Sequence, residues 1–398
     1  MPLSDKRHII IFALITAFCL FGAAMLYIVL PVHYEEAGLA SLWEVGAVLA
    51  VNRIVRLPLN PCIGFFYRHI SERTGILIAV VLAIATTTSY GVIDSFGGWI
   101  LARCVWGVAW ALLRLGSLFC ILRLATPANR GHMTGLYNGL FRLGNLVGML
   151  TGGILADMVG IRVTACIFAS AGLVALFLTL FYIPKSLPDD RECGSDISLR
   201  SGFTLIANDR GLLRLIVSGG IVALALQGVV ASTLSRLIEV HTGGTVSFLG
   251  FLLGAATVSG FFQALRWAWE PWLAPLVGRM ADSRYGGQRM LGAALFGGAL
   301  FFAALAAPLP LALWFCCILG FQLSATALTT LADTAASGSA SAKGGRAVLM
   351  HYALMTDVGS ALGPLIAYGM NAFLGINAVY MLCAALFAVL AFLWRNSR

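Results

Sequence analysis

The feature that most constrains this chain is a series of twelve apolar runs, each long enough to cross a lipid bilayer. A transmembrane helix needs roughly 20 mostly apolar residues. The predicted spans are 9–31, 41–66, 75–93, 97–122, 131–156, 163–184, 212–237, 247–274, 288–307, 309–332, 346–369 and 375–394. Only 11% of the residues are charged, whereas soluble domains carry roughly 25%. The sequence therefore predicts an all-α integral membrane protein and excludes a soluble or disordered chain.

The distribution of Lys and Arg predicts the orientation of these spans. The chain carries 26 Lys and Arg against 17 Asp and Glu, and nearly all of the basic loop residues fall in connections on one side, whereas the other side holds Arg162 alone. Basic loops face the cytoplasm, so we expect both termini to be cytoplasmic, in a bacterial inner membrane. The same pattern indicates that the basic residues face anionic lipid headgroups and are not a nucleic-acid-binding surface.

An internal repeat divides the chain into two halves. The segments 135–150 and 350–365 align at an offset of 215 residues, with Gly144 on Gly359 and Gly148 on Gly363. A duplicated six-helix unit is a transporter architecture that places the substrate between the halves near the bilayer midplane. We therefore expect six-helix bundles at 1–184 and 212–398, joined by a polar cytoplasmic linker at 185–211.

A loop after the eighth span carries a family resemblance. It reads Gly278-Arg279-Met280-Ala281-Asp282-Ser283-Arg284-Tyr285-Gly286-Gly287-Gln288-Arg289, and it resembles the G-x-x-x-D-R-x-G-R-[KR] loop of the major facilitator superfamily. The resemblance implies twelve helices in two pseudo-symmetric bundles. The gating residues it implies in this loop are Gly278, Asp282, Arg284 and Arg289. The first-half copy at 64–73 departs from the pattern, because Arg68 stands where an acid is expected.

Two further motifs carry the same resemblance. Arg103 and Gly107 match the family's R-x-x-x-G motif in the fourth span. In the fifth span, Gly135, Gly144, Gly148 and Gly153 have the spacing of the antiporter motif G-x8-G-x3-G-P-x3-G, with Met149 in place of the proline. The resemblance implies export by antiport, with gating roles for Gly144 and Gly148. Arg142 is a further gating candidate, because it could pair with an acid of the other half. Plain close packing of helices through small residues is the alternative.

Ionisable residues inside the predicted spans are the candidates for function, because a charge within the bilayer is costly unless it is paired or faces water. The guanidinium fork suits carboxylate or phosphate groups. The candidate substrate-binding residues are Arg53, Arg56, Arg103, Arg114 and Arg266, with Asn52, Gln263 and Trp267. Alternatively, these arginines form gate pairs: Arg266 and Glu270 are four residues apart on one helix, and Arg142 could meet Asp357 across the halves.

Asp357 is the first candidate for carrying a proton and Glu270 is the second. The charge of such an acid depends on the balance between its apolar surroundings and a nearby Arg. A carboxyl placed between these two environments can therefore bind and release a proton as a gate opens and closes.

The expected function is proton-coupled transport by alternating access, with export of a small organic molecule that carries an anionic group. Uptake of a small organic anion by proton symport is the alternative, and a membrane sensor that no longer transports is another. No nucleotide-binding loop appears, and the six His residues have no catalytic or metal-binding spacing. We therefore expect no enzyme activity, no cofactor and no metal. The expected partners are the substrate, protons and the lipid bilayer, and we expect a monomer.

Overall fold

The computed structural model describes residues 3–67, 69–124, 130–183, 209–248, 251–281, 287–343 and 345–395. The described residues are mostly helical, as the apolar runs predict. The helices are α1 (Leu3–Val29), α2 (Leu42–Phe66), α3 (Glu72–Ser89), α4 (Phe96–Leu124), α5 (Arg130–Tyr182), α6 (Arg210–Ala223), α7 (Ala231–Thr242), α8 (Ala255–Ala281), α9 (Gly287–Ala306), α10 (Leu311–Lys343), α11 (Gly345–Leu374) and α12 (Ile376–Arg395), with a π-helical segment, Leu224–Val230, between α6 and α7.

Helix ends follow local chemistry. Ser41 accepts a hydrogen bond from the backbone N–H of Glu44 and so caps α2, and Ser71 does the same for α3 through Thr74. Asp209 accepts from two N–H groups at the start of α6. Each cap satisfies donors that the first helical turn leaves unpaired.

Helix α5 joins two predicted spans through a break at Gly160. Its φ of 81° and ψ of 167° are not helical, and glycine adopts such angles without steric cost. The fifth and sixth predicted spans therefore lie on the two sides of this break. In the described part of the chain, eight helical stretches are long and apolar enough to cross a membrane. The count of twelve spans and the orientation of the termini stay predictions.

The contacts divide the chain into two compact units. The first comprises Met1–Arg191 with Gly244–Trp267, and the second comprises Glu192–Gly243 with Ala268–Arg398. The predicted domain boundaries stay a prediction. The predicted linker lies outside the described residues except for its last three positions, 209–211. Of these, Asp209 is the N-cap residue of α6.

In the first unit, α1 packs along α5, and α4 packs on α2 and α3. Its apolar core includes fully buried residues of α1, α3 and α4, among them Ile15, Ala79 and Leu113. Tyr90 stacks on Trp99 at 5.2 Å between ring centroids. The Trp99 indole N–H donates to the Ala37 carbonyl at 2.9 Å, which fixes the α1–α2 connection to α4.

In the second unit, α11 packs against α6 and the π-helical segment, and α9 packs against α10 and α12. The buried ring of Phe302 on α9 lies 4.8 Å from that of Phe321 and 5.1 Å from that of Phe387, both as edge contacts. Such aromatic pairs add to the stability gained from burial alone.

The predicted start of the eighth span is wrong. The prediction placed a helix over 247–274, but the strands β1 (Thr245–Phe248) and β2 (Phe251–Gly254) form an antiparallel hairpin before α8 begins. Gly243 and Gly244 have φ of 74° and 102°, so α7 ends there and the chain turns. Hydropathy alone does not separate a short apolar strand from a helix, and the β-branched and aromatic residues here favour strands.

The repeat is visible in the packing of both units. A Cβ on Gly144 of α5 would lie 2.5 Å from the Ala17 carbonyl oxygen of α1, and a Cβ on Gly359 of α11 would collide with the Gly220 carbonyl of α6. Gly148 and Gly363 make the equivalent approaches one turn later. The aligned glycines therefore bring equivalent helices into backbone contact in each unit.

Candidate functional site

A basic cluster in the first unit surrounds Tyr27. The guanidinium carbon of Arg53 lies 5.4 Å from the centroid of the Tyr27 ring, and that of Arg103 lies 5.9 Å from it. Arg56 is also within electrostatic range of Tyr27. Three helices supply the cluster: α1 carries the tyrosine, α2 carries Arg53 and Arg56, and α4 carries Arg103. The structure thus brings three of the predicted substrate-binding arginines together.

The Arg103-x-x-x-Gly107 motif packs α4 against α2. A Cβ on Gly107 would lie 2.8 Å from the Asn52 carbonyl oxygen, so only glycine permits this approach without displacement. One turn earlier, Arg103 Nε donates to the Val48 carbonyl at 3.2 Å. Arg103 and Gly107 on α4 therefore face Val48 and Asn52 on α2. This helix contact fixes the position of the Arg103 guanidinium.

Arg103 is completely buried, yet its Nη1 and Nη2 atoms make no hydrogen bond within the described part of the chain. Asn52 is 6% exposed, and its Oδ1 is also without a hydrogen bond among the described residues. A buried charge costs several kcal/mol unless it is paired and hydrogen-bonded. An arginine held in this way is suited to bind an anionic group, because both terminal nitrogens are donors.

Arg114 lies apart from this cluster. Its Nη1 donates to Asn138 Oδ1 at 2.9 Å, and its guanidinium lies over Tyr137 at 5.6 Å and over Phe141 at 5.3 Å. These contacts hold Arg114 between α4 and α5. Its role in substrate binding stays a prediction.

Trp267 lies beside two of the predicted arginines. The guanidinium carbons of Arg142 on α5 and Arg266 on α8 are 5.6 Å and 5.7 Å from its ring, within cation–π range. Gln263, one turn before Trp267, is 6% exposed. This second group of predicted site residues therefore assembles where α5 and α8 approach each other within the first unit.

The predicted proton carriers belong to the second unit. Asp357 is half-buried on α11, where its backbone carbonyl accepts from the Ser360 hydroxyl at 3.0 Å. Glu270 is half-buried on α8. Of the predicted gating residues, Gly278 lies near the end of α8 and Arg289 is exposed in the first turn of α9. Asp282 and Arg284 lie outside the described residues.

A polar group around Asp333 lies outside the predicted site residues. The Tyr352 hydroxyl of α11 donates to Asp333 Oδ1 of α10 at 2.9 Å, beside a cavity of about 170 Å³ that Gln227 also lines. The predicted tenth span ends at residue 332, one residue before this acid, whereas α10 continues to Lys343. Extending the span by one helical turn would have found it.

A polar network in the first unit likewise lies outside the predicted site residues. His33 Nε2 lies 3.1 Å from Asp157 Oδ1, and Asp157 Oδ2 accepts from the backbone N and the hydroxyl of Thr257 at 2.8 Å and 2.6 Å. Glu36 Oε1 accepts from the backbone N of Ile161 at 3.0 Å. The network ties the break in α5 to the α1–α2 connection and to the start of α8. Asp157, too, lies one residue beyond a predicted span.

His33 lies outside the membrane-spanning helices, and its pKa is raised above the ordinary value of 6.5. Burial alone lowers the pKa of the imidazole. The hydrogen bond and the negative charge of Asp157, helped by Glu36, outweigh that effect and favour the protonated ring. The network therefore favours the protonated form of His33 more than water does.

The architecture and these motifs agree with the match to known proteins. A family model described as Major Facilitator Superfamily matches residues 12–351. The chain belongs to the Major Facilitator Superfamily. The predicted resemblance is thereby confirmed, and the protein is a multi-pass membrane transporter of small molecules rather than an enzyme.

Relatives and solved structures of the superfamily match this chain over nearly its whole length. The multidrug resistance protein MdtG of Dickeya zeae (strain Ech586) is 26% identical over 98% of this chain and 94% of its own length. MdtG of Escherichia coli (strain K12 / DH10B) is 26% identical over 96% of this chain and 92% of its own. The crystal structure of the nucleoside transporter NupG has a TM-score of 0.78 at 15% identity, with both chains covered completely. This last likeness concerns the fold.

Proposed function

We propose that this superfamily member exports a small organic molecule carrying an anionic group, in exchange for protons, by alternating access. The observation that carries the proposal is Arg103, completely buried, with two terminal nitrogens that make no hydrogen bond within the described part of the chain. Arg53 and Arg56 add positive charge beside the same tyrosine. An anionic group placed there would receive charge-assisted hydrogen bonds from a fork that is already oriented.

Two observations favour export by antiport. Relatives that match nearly the whole chain are named multidrug resistance proteins, and the fifth span has the glycine spacing of the antiporter motif. Asp357 and Glu270 remain candidate proton carriers. In this proposal the protein is a monomer in a bacterial inner membrane, with both termini in the cytoplasm.

The test is transport in proteoliposomes that contain a pH-sensitive dye. A panel of organic anions is compared with lipophilic cations, using the wild type, Arg103→Lys, Arg103→Gln and the control Arg162→Lys. Arg162 pairs with Asp94 at an exposed site of the same unit, so its substitution keeps the charge and leaves the cluster unchanged. A thermal melt of each variant separates loss of transport from loss of folding.

We expect anion-dependent proton flux that falls about 10- to 100-fold in Arg103→Gln, because a hydrogen bond to a charged group contributes about 1.5–3 kcal/mol. Arg103→Lys keeps the charge but loses the fork, so an intermediate rate is expected. The direction of proton flux separates antiport from symport. Flux with cations alone, unchanged in both Arg103 variants, would contradict the anionic substrate.

A further inference from the structure

A polar cavity lies within the second unit, among helices that are otherwise packed with apolar side chains. Its volume is about 170 Å³, and its polar lining consists of Asp333, Tyr352, Gln227, Thr329 and Thr356. Asp333 is exposed to this space, although the preceding Leu331 and Ala332 are buried. It lies ten residues before the end of α10, or about 15 Å of helix. The carboxylate therefore lies well inside α10, one residue past the predicted span, and has room for water beside it.

Tyr352 is held against this carboxylate by its surroundings. Its hydroxyl donates to Asp333 Oδ1 at 2.9 Å, and the residue is buried, with only 8% of its surface exposed. A Cβ at Gly219 of α6 would collide with the Tyr352 ring. The glycine thus leaves the space that the ring occupies, and the hydroxyl is aimed at Asp333 rather than free to rotate away.

The third polar group enters the cavity from the π-helical segment. Gln227 is exposed there, whereas Leu226 and Gly228 on its two sides are buried. One-turn π-helical segments are rare and occur frequently at functional sites. An amide carries both a donor and an acceptor, so Gln227 can interact with Asp333 in its ionised form or in its protonated form, directly or through water.

We propose that Asp333 is the proton-binding group of this transporter, with Tyr352 and Gln227 as positioning residues. A hydronium ion in the cavity gives its proton to Oδ2 of Asp333: one O–H bond of the hydronium breaks, one O–H bond forms on the carboxyl group, and a water molecule is left. The reverse transfer returns the proton to water when the cavity opens to the other side. Tyr352 donates to Oδ1 in both states, as carboxylate oxygen or as acid carbonyl. The inference rests on the proposed proton coupling and assigns it to an acid other than Asp357 and Glu270.

Difference infrared spectroscopy tests the assignment on the full chain in liposomes, with the proton itself as the ligand. The pH is varied without substrate and without a gradient, and the C=O stretching band of a protonated carboxylic acid is followed. Asp333→Asn removes the carboxyl group, Asp333→Glu keeps it, and Asp357→Asn tests the rival candidate on α11.

The chain has 17 Asp and Glu, so each variant is compared with the wild type by subtracting the two acid-induced spectra. We expect one component of the C=O band to be missing in Asp333→Asn and restored in Asp333→Glu, and the same component to be retained in Asp357→Asn. In Tyr352→Phe this component should persist at a higher wavenumber, because losing a hydrogen bond to a carbonyl raises its stretching frequency. A spectrum of Asp333→Asn identical to that of the wild type, or loss of this same component in Asp357→Asn, would overturn the assignment.

A transport measurement separates this inference from the function on which it rests. In Asp333→Asn, exchange of substrate across the membrane without a pH gradient should continue, while substrate-driven proton flux should be lost. Proton flux that survives in Asp333→Asn would overturn the assignment and leave proton-coupled transport standing. Loss of exchange together with proton flux would place Asp333 in substrate binding instead and would equally overturn it.

Discussion

At the scale of residues, the polar groups that organise each unit lie at the edges of the apolar runs. Asp157 and Asp333 each follow a predicted span by one residue, because each predicted boundary falls where the apolar run ends. In the structure both helices continue past the acid. The first acid then receives hydrogen bonds from Thr257 and the second from Tyr352. A charged residue at such an edge is as much a candidate for function as one in the middle of a span.

We predict that the network around His33 stabilises the protein more at low pH than at high pH. Because the folded-state pKa of His33 is raised, its contribution is fully present below the ordinary value of 6.5 and is lost as the pH rises through the folded-state pKa. The difference in melting temperature between the wild type and His33→Gln, measured in detergent, should therefore be larger below pH 6.5 than well above it.

Asp157→Asn supplies the control, because it keeps the size of the side chain and removes the charge that favours protonated His33. The difference in melting temperature between Asp157→Asn and the wild type should shrink as the pH rises through the same range. A partly buried charged pair of this kind contributes about 1 kcal/mol to the free energy of unfolding. A His33→Gln effect that is constant across pH would show that the ring contributes by packing alone.

At the scale of elements, the repeat predicted by alignment corresponds to a shared packing device. Gly144 and Gly148 bring α5 onto α1, and Gly359 and Gly363 bring α11 onto α6 and the π-helical segment. At the same offset Tyr137 aligns with Tyr352, but the two tyrosines have different partners. The Tyr137 hydroxyl lies 3.2 Å from the Thr16 hydroxyl, whereas the Tyr352 hydroxyl donates to Asp333. The two units thus keep the helix contact and differ in the polar chemistry beside it.

We predict that Gly144→Ala and Gly359→Ala each destabilise the protein by about 1–3 kcal/mol, because the added methyl group forces the two backbones apart. Gly135→Ala on α5 and Gly369→Ala on α11 are matched controls, since a Cβ there meets open space. The controls should be neutral or stabilising, as alanine is the better helix former by about 0.5–1 kcal/mol. Thermal melts in detergent compare the four; equal effects would contradict the packing role.

At the scale of the whole molecule, superfamily membership defines a multi-pass transporter, and the charge of the loops predicts how it sits in the bilayer. A fluorescent protein that folds only in the cytoplasm should be fluorescent when fused after Arg398. The same reporter inserted in the α1–α2 connection, next to Glu35, should be dark, because that connection is predicted to face outward. Fluorescence in the inserted variant would contradict the predicted orientation.

The sequence by itself determined that this chain is a helical membrane transporter. Span length, loop charge and the spacing of glycines can be read directly along the sequence. They predict transmembrane helices because a helix in the bilayer satisfies its backbone hydrogen bonds within its own segment. The same information located Arg53, Arg103 and Trp267 as candidates, because any charge or indole inside an apolar run is conspicuous.

Only the tertiary structure decided which of these residues meet. Arg53 and Arg103 are 50 positions apart, and the packing of α4 on α2 through Gly107 is what brings them to one tyrosine. Asp333 and Tyr352 meet because α10 continues beyond its apolar run and Gly219 leaves room for a ring. The hairpin at 245–254 was likewise decided by pairing between strands. Such contacts join separate segments, and hydropathy along the chain carries no information about them.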